Sequence, residues 1–392
     1  MAERGRALAI QAGDLLLDRG LGGPGFVVID GDRIAGVEEG RHPHPDLDCG
    51  TQTLVPGFVD LQVNGAAGCD FLSPDVSALE AAHAHLLRTG TVAYLPTLIS
   101  APEDRLRASL AFFASRARVR AAPGIPPAPS ILGVHLEGPY LSPARPGAHP
   151  AEHLRNPSIE WIGRLLEEFP GLVRIVTLAP ELEGAHALIE HLVGRGIVVA
   201  IGHTDATFDQ AIRAFNLGAR LATHLFNAMR PYHHREPGAV GAALSHPEVI
   251  CSIIADHVHV HPAVIDQVVA IKGWQRTALI TDAISAAGSP AAESALGDRT
   301  VRVVDGAPRL QDGTLAGSVL SMDQAVRNMV AGGRSLEAAV RMASATPARL
   351  LGLDQGALRV GMRADLVVLD AGLAVSGVVV GGAPVFLPGA PS

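Results

Sequence analysis

Lysine is almost missing from this chain: of its 31 basic residues, only Lys272 is a lysine. Any anionic group bound here must be met by arginine, histidine, amide side chains or backbone N–H groups. Cysteine is scarce as well. Cys49, Cys69 and Cys251 are too few for a disulfide framework and lack C-x-x-C spacing, which fits a reducing compartment. No run reaches the roughly 20 apolar residues of a membrane helix. The opening Met-Ala-Glu-Arg-Gly-Arg is not followed by a signal-type apolar stretch. The expectation is a soluble, cytoplasmic protein with no membrane partner. Positive charge is also in deficit, and a net charge of −8 argues against a nucleic-acid or anionic-membrane binder.

An apolar fraction of 48% excludes a largely disordered chain. The 43 Gly and 28 Pro are what many loops, or a GC-rich coding bias, would produce. A length of 392 residues accommodates one barrel of about 250 residues plus a smaller unit.

Residues 1–56 read as β structure. Two apolar stretches within Phe26–Val37 meet at Asp30-Gly31-Asp32, a hairpin signal. The tail is similar, with Leu366-Val-Val-Leu-Asp followed by Val375-Ser-Gly-Val-Val-Val-Gly-Gly. Residues 1–56 and 357–392 are therefore expected to meet in a small β-sandwich domain that is discontinuous in sequence. Closing so long a loop adds entropy only slowly.

Residues 57–356 alternate. Strands are expected at 57–64, 92–97, 131–138, 173–179, 197–203, 221–227, 251–255 and 278–282. Helices are expected at 78–89, 159–168 and 209–216, and the Pro-rich patch 121–129 reads as a surface loop. Regular alternation means parallel strands. Eight of them point to an α/β fold, a (β/α)8 TIM barrel, whose working groups sit at the C-terminal ends of the strands.

Several runs end in residues suited to metal chemistry. Gly133-Val-His-Leu-Glu supplies Glu137, with His135 on the same face two residues earlier. Ile201-Gly-His supplies His203, Thr223-His supplies His224, and Ile280-Thr-Asp supplies Asp282. Each alone is commonplace. A lone Glu is most often solvated, a lone His is a core residue, and Asp282 could be an N-cap. Together, one carboxylate and two imidazoles make a three-ligand site with an open position, the pattern of catalytic zinc. Such an ion lowers the pKa of a bound water from 15.7 towards about 7 and polarises a carbonyl. Asp282 then reads as a general base.

The segments Leu54-Val-Pro-Gly-Phe-Val-Asp-Leu-Gln-Val-Asn-Gly, His135-Leu-Glu-Gly-Pro-Tyr-Leu, Gly202-His-Thr and Thr223-His-Leu-Phe-Asn-Ala-Met run in order along the chain. So do Arg235-Glu-Pro-Gly, Ile254-Ala-Asp-His-Val-His-Val, Thr281-Asp-Ala and Gly313-Thr-Leu-Ala-Gly-Ser. In this series the chain resembles the N-acetylglucosamine-6-phosphate deacetylases of the amidohydrolase superfamily, over nearly its whole length. Many amidohydrolases carry His-x-His on the first strand, where this chain has Gln62-Val63-Asn64. Amides are poor transition-metal ligands beside imidazole, so one ion per subunit is expected rather than a bridged pair. Gln62 and Asn64 would support the site from behind, and Gln62 reads equally as a holder of water or as packing in the barrel mouth.

The resemblance implies the remaining roles. Glu137, His203 and His224 match the metal ligands and Asp282 the acid–base. His259 matches the histidine on the acetamido carbonyl, although His257 is expected to face the same side. His149, Asn227, Ala228, Leu315 and Ala316 match sugar-phosphate contacts. Arg235 matches a phosphate-binding arginine that reaches into the partner's site of a homodimer. His233 and His234 are adjacent and read as loop residues. Zinc is the expected ion, and Fe(II), Co(II) or Mn(II) suit the same donors. The expected reaction is deacetylation of N-acetylglucosamine 6-phosphate. The galacto epimer, a D-aminoacylase or cyclic-amide substrate, and a non-catalytic sugar-phosphate sensor stand as alternatives.

Overall fold

The computed structural model describes residues 7–117 and 127–388. Eight parallel strands form the barrel: Phe58–Val63, Thr91–Leu98, Val134–Glu137, Val173–Leu178, Val198–Ile201, Leu221–Ala222, Ile250–Ile254 and Thr277–Ile280. Each pairs in parallel with the next in chain order. Their residues are almost all buried, because strands covered by helices on one side and barrel core on the other have no solvent face. All eight expected strands are present. The sixth is shorter than the pattern suggests. It ends at Ala222, and a turn follows in which His224, Phe226 and Ala228 take positive φ and break the ladder.

Helices fill the connections. Ile159–Glu168 buries Trp161, Ile162, Leu165 and Leu166, one stripe of a 3.6-residue period, and Ser158 caps it by accepting from Trp161 N–H. Phe208–Asn216 begins with a capping box between Thr207 and Gln210. Seven further helices escape simple patterning, among them Glu103–Ala117 and Pro262–Lys272. A three-stranded antiparallel sheet, Glu293–Leu296, Arg299–Val304 and Ala307–Arg309, is inserted after the eighth strand and was not foreseen. Of the patch 121–129, residues 121–126 lie outside the described residues.

Among the described residues, a two-stranded pair, Gly65–Ala66 with Cys69–Asp70, and two larger sheets also lie outside the barrel. One orders Arg33–Glu39, Gly25–Asp30, Leu8–Ala12 and Leu47–Asp48. The other orders Ala383–Phe386, Val375–Val380, Leu366–Leu369, Thr53–Pro56, Asp14–Leu17 and Gly20–Leu21, so segments from both ends of the sequence share it. Ile10, Leu15, Val27, Ile29, Leu54, Leu366, Val368 and Val379 form a second core, separate from that of the barrel.

The sole lysine is structural. Lys272 is 8% exposed, and its Nζ donates to the carbonyls of Ala243 (2.9 Å) and His246 (2.6 Å), which end the helix Gly238–Ser245. Lys272→Met should cost roughly 2 kcal/mol, the scale of lost charge-assisted hydrogen bonds. Thermal unfolding should show a Tm lower by a few degrees, and an unchanged Tm would contradict this role.

Candidate active site

At the C-terminal mouth of the barrel, Glu137 ends the third strand and stays within it. His203, His224 and Asp282 lie two residues past the ends of the fifth, sixth and eighth strands. All three have positive φ, at 47°, 30° and 50°. L-residues enter this region at a cost of about 1–3 kcal/mol each. Of the nine such residues other than glycine among the described ones, six lie in the loops after strands five to eight: these three, Phe226, Ala228 and His257. Positive φ is concentrated in the loops at the barrel mouth, the three that carry His203, His224 and Asp282 among them.

Glu137 Oε1 lies 3.2 Å from His203 Nε2 and 2.9 Å from His224 Nε2, and the two nitrogens are 3.1 Å apart. All three residues are at most 5% exposed. His203 Nδ1 faces the Arg145 carbonyl at 3.2 Å, so this nitrogen carries the hydrogen and Nε2 presents a lone pair. Burial, with His149 nearby, pushes His203 down to about 4, which keeps the ring neutral. Burial alone would raise Glu137, but bonds from His149, His203 and His224 hold it well below the usual carboxylate range. Burial opposes charge on His224, yet Glu137 and then Asp282 raise it. Three potential ligand atoms packed this closely are joined either by a proton on His224 or by a shared cation. Ligand atoms around a tetrahedral ion with bonds of about 2.0–2.1 Å are separated by about 3.3 Å, close to the spacing here. The donor set therefore fits a divalent ion.

His149 is the fourth member of the cluster. One of its ring nitrogens lies within 4.8 Å of a Glu137 carboxylate oxygen and a His203 ring nitrogen, so these three residues also form a group that could hold a metal ion. However, Ser100 N–H donates to His149 Nδ1 at 3.2 Å, so Nε2 carries the hydrogen and points at Glu137 Oε2, 3.6 Å away. His149 is thus arranged as a donor rather than a metal ligand. Gly202 has no room for a side chain: a Cβ there would sit 2.7 Å from Thr223 Cβ, so only glycine lets the fifth and sixth strands approach this closely beneath the site.

On the opposite side, Gln62 Nε2 donates to both Glu137 Oε1 (2.9 Å) and Asp282 Oδ1 (3.1 Å). Asn64 Nδ2 donates to Asp282 Oδ1 at 2.7 Å. Burial, then the Glu137 charge, pushes Asp282 up to about 6, with His224, His259 and Asn64 opposing. Of the two readings of Gln62, the bonds add a third: it bridges the two carboxylates.

The structure separates His257 from His259. Residues 256–260 are a bend, not a strand, so the two do not share a face. His257 is exposed, whereas the His259 side chain is 4% exposed and its Nδ1 is held by Asp256 Oδ2 at 2.6 Å. Asn227 donates to the His224 carbonyl, and the Ala228 carbonyl accepts from Thr204 N–H. Ala316 is buried and Leu315 half-buried, joined to the inserted sheet through Ala316 N–H to the Pro308 carbonyl. Arg235 lies on an exposed loop and bonds to His234 rather than to the Glu137 cluster. The His233 and His234 rings lie tilted at 44° to each other, with centroids 4.3 Å apart.

Residues 53–385 match the amidohydrolase family. The chain belongs to this family. It is 41% identical to the N-acetylgalactosamine-6-phosphate deacetylase of Escherichia coli O157:H7, covering 83% of this chain and 85% of that protein. The N-acetylglucosamine-6-phosphate deacetylase of Homo sapiens is 38% identical, with 95% and 93% covered. A solved structure of a mutant Mycobacterium smegmatis N-acetyl-D-glucosamine-6-phosphate deacetylase, in complex with N-acetyl-D-glucosamine 6-phosphate, superposes with a TM-score of 0.92. It is 39% identical and covers 97% of this chain and 100% of that one.

Sequence reasoning missed the groups that fix these side chains. Asp256 orients His259. Asp205 accepts from Arg145 Nε (2.9 Å) and Arg230 Nη2 (2.8 Å), and its N–H donates to Glu181 at 2.6 Å. This belt ties together the loops after strands three to six. Asp205 stands two residues after His203, just past the Gly202-His-Thr segment, but its partners are 25 and 60 residues away and leave no local signal. Loss of such outer partners typically weakens metal binding about 10–100-fold. Asp205→Ala should weaken divalent-metal retention by that factor in chelator competition. Retention within twofold of the parent would remove the belt's role.

Proposed function

We propose that this protein hydrolyses the acetamide of N-acetyl-D-glucosamine 6-phosphate to D-glucosamine 6-phosphate and acetate. The carrying observation is Asp282, set by Gln62 and Asn64 against the Glu137–His203–His224 cluster. We also propose one zinc ion per subunit held by those three residues, a cytoplasmic homodimer, and residues 1–56 with 357–392 as a unit apart from the barrel of 57–356.

A bound divalent ion supplies Lewis acidity towards the acetyl oxygen and acidifies water beside it. The chain's residues do the rest. His259, its ring fixed by Asp256 through Nδ1, turns Nε2 to the acetyl oxygen as that oxygen gains charge, and donates to it in the form with both ring nitrogens protonated. Asp282 removes a proton from the attacking water as the new C–O bond forms, then returns it to the sugar nitrogen as the C–N bond breaks. Atoms balance with one water consumed. His149, Asn227 and the backbone at Ala228, Leu315 and Ala316 hold the sugar. Arg235, exposed on its loop, supplies charge-assisted bonds to the phosphate of the partner's substrate, a task that this lysine-poor chain must give to arginine.

The galacto epimer is the second reading, favoured by the 41% identity to an enzyme of that name. Values of kcat/KM for the two 6-phosphates and for unphosphorylated N-acetylglucosamine decide the matter. The gluco 6-phosphate should lead, and the unphosphorylated sugar should trail by at least about 100-fold, the worth of roughly 2.7 kcal/mol. Equal rates with and without phosphate would refute the phosphate assignment.

Asp282→Asn should abolish turnover and leave metal content near that of the parent. In the parent, kcat/KM should fall on acidification as Asp282 gains a proton and stops acting as a base; burial and the Glu137 charge set that titration at about 6 in the absence of an ion. A bound dication moves this limb lower, never higher. An acid limb above pH 7 would contradict Asp282 as the base.

A further inference from the structure

The barrel closes differently at one place. Seven strand pairs form ladders, but the eighth strand, Thr277–Ile280, has no ladder to the first, Phe58–Val63. The seam is bridged at Val63 and Ala283, beyond the end of the eighth strand. Below that bridge a side chain takes over. Asp60, 0% exposed, accepts from Thr281 Oγ1 at 2.6 Å through Oδ2. Through Oδ1 it accepts from Gln62 N–H at 3.1 Å and Thr281 N–H at 3.3 Å. Among the described residues no basic side chain pairs with it. A buried carboxylate satisfied only by neutral donors is an expensive way to close a seam that a backbone carbonyl could close.

We propose that Asp60 is a positioning residue for Asp282, acting through Thr281 and Gln62. Its two oxygens hold both supports of that carboxylate at once. Gln62 carries the amide that donates to Glu137 and Asp282. Thr281 is the residue before Asp282, whose φ of 50° must be held against relaxation. Thr281 is pinned at N and Oγ1 by Asp60 and at its carbonyl by Ser318 Oγ (2.6 Å). Asp282 itself donates its N–H to the Gln62 carbonyl at 2.9 Å and accepts from Ser318 N–H at 2.8 Å. Without Asp60, Thr281 loses the acceptor of its N–H and of its short Oγ1 bond, and the turn is left to Ser318, the Gln62 carbonyl and the bonds of Asn64 and Gly65 to the Ala283 carbonyl. A displacement of about 1 Å at a reacting group can cost on the order of 100-fold in rate. The inference rests on Asp282 being the base.

The test uses full-length, zinc-loaded protein turning over N-acetylglucosamine 6-phosphate. The variants are Asp60→Asn, Thr281→Val, their combination, Thr281→Ser and Asp282→Asn. Metal content and Tm are read beside kcat and KM. Asp60→Asn should lower kcat about 10–100-fold, with KM within about threefold and zinc retained. Thr281→Val should lower kcat less, and Thr281→Ser, which keeps the hydroxyl, should recover it. The double variant should be no worse than Asp60→Asn alone, because both changes cut one link. Additive losses, or a lower Tm with unchanged kcat per zinc-loaded chain, would overturn the proposal. If Asp60→Asn does not fold, the Thr281 pair decides: a loss in Val recovered in Ser supports the link, and no loss overturns it. Turnover retained in Asp282→Asn would instead sink the base assignment. An inactive Asp282→Asn beside fully active Asp60 and Thr281 variants would sink only the positioning role.

Discussion

One oxygen of Glu137 lies within 3.2 Å of two imidazole nitrogens that are themselves 3.1 Å apart, in a setting that excludes bulk water. A buried carboxylate beside two imidazoles must be paired, either by a proton on His224 or by a cation that all three groups share. The surrounding structure can be understood as the means of keeping them together. The Arg145 carbonyl fixes which nitrogen of His203 faces inward. Asp205 binds the loops that carry His203 and His224 to each other. The Gln62 amide places both of its hydrogens between Glu137 and Asp282, letting two carboxylates share a small space. An imidazole at that position would offer one donor and one more metal ligand. An amide nitrogen offers two donors and stays out of the coordination sphere.

The mouth divides by chemistry. Strands three, five and six carry the donors suited to an ion, strands one and eight carry Asp282 and the two amides that donate to it, and the loop after strand seven carries His259. The strained backbone at His203, His224 and Asp282 sits directly above strands with little or no exposed surface. A close-packed interior transmits little slack, so it can hold unfavourable φ values that an isolated turn would release. Charge is allotted with similar economy. Arginine forks tie Asp205 from two sides, a task that suits a planar, multi-donor group, while the single lysine is spent as a point donor on helix carbonyls.

Much of this was legible from the letters. Strand–helix alternation locates all eight barrel strands because a doubly buried strand must be apolar throughout, whatever surrounds it. Glu137, His203, His224 and Asp282 can be singled out because each closes such a run. The glycine-rich hairpin at residue 31 and the apolar tail strands announce the terminal sheets. Less visible were helices such as Glu103–Ala117, whose apolar stripe is broken by Arg and Ser, and the inserted sheet at 293–309, whose strands are exposed and mostly polar.

What the sequence determined by itself was the set of chemical groups and the element each one ends, since periodicity and run length are local properties. What only the tertiary structure decided was selection among equals. His259 rather than His257 is turned inward because a bend, not a strand, follows Ile254. His149 is a donor rather than a ligand because a backbone N–H 49 residues away occupies its other nitrogen. Asp60 matters to Asp282 only because a barrel must close, bringing together positions 60 and 281 across a seam that no local pattern encodes.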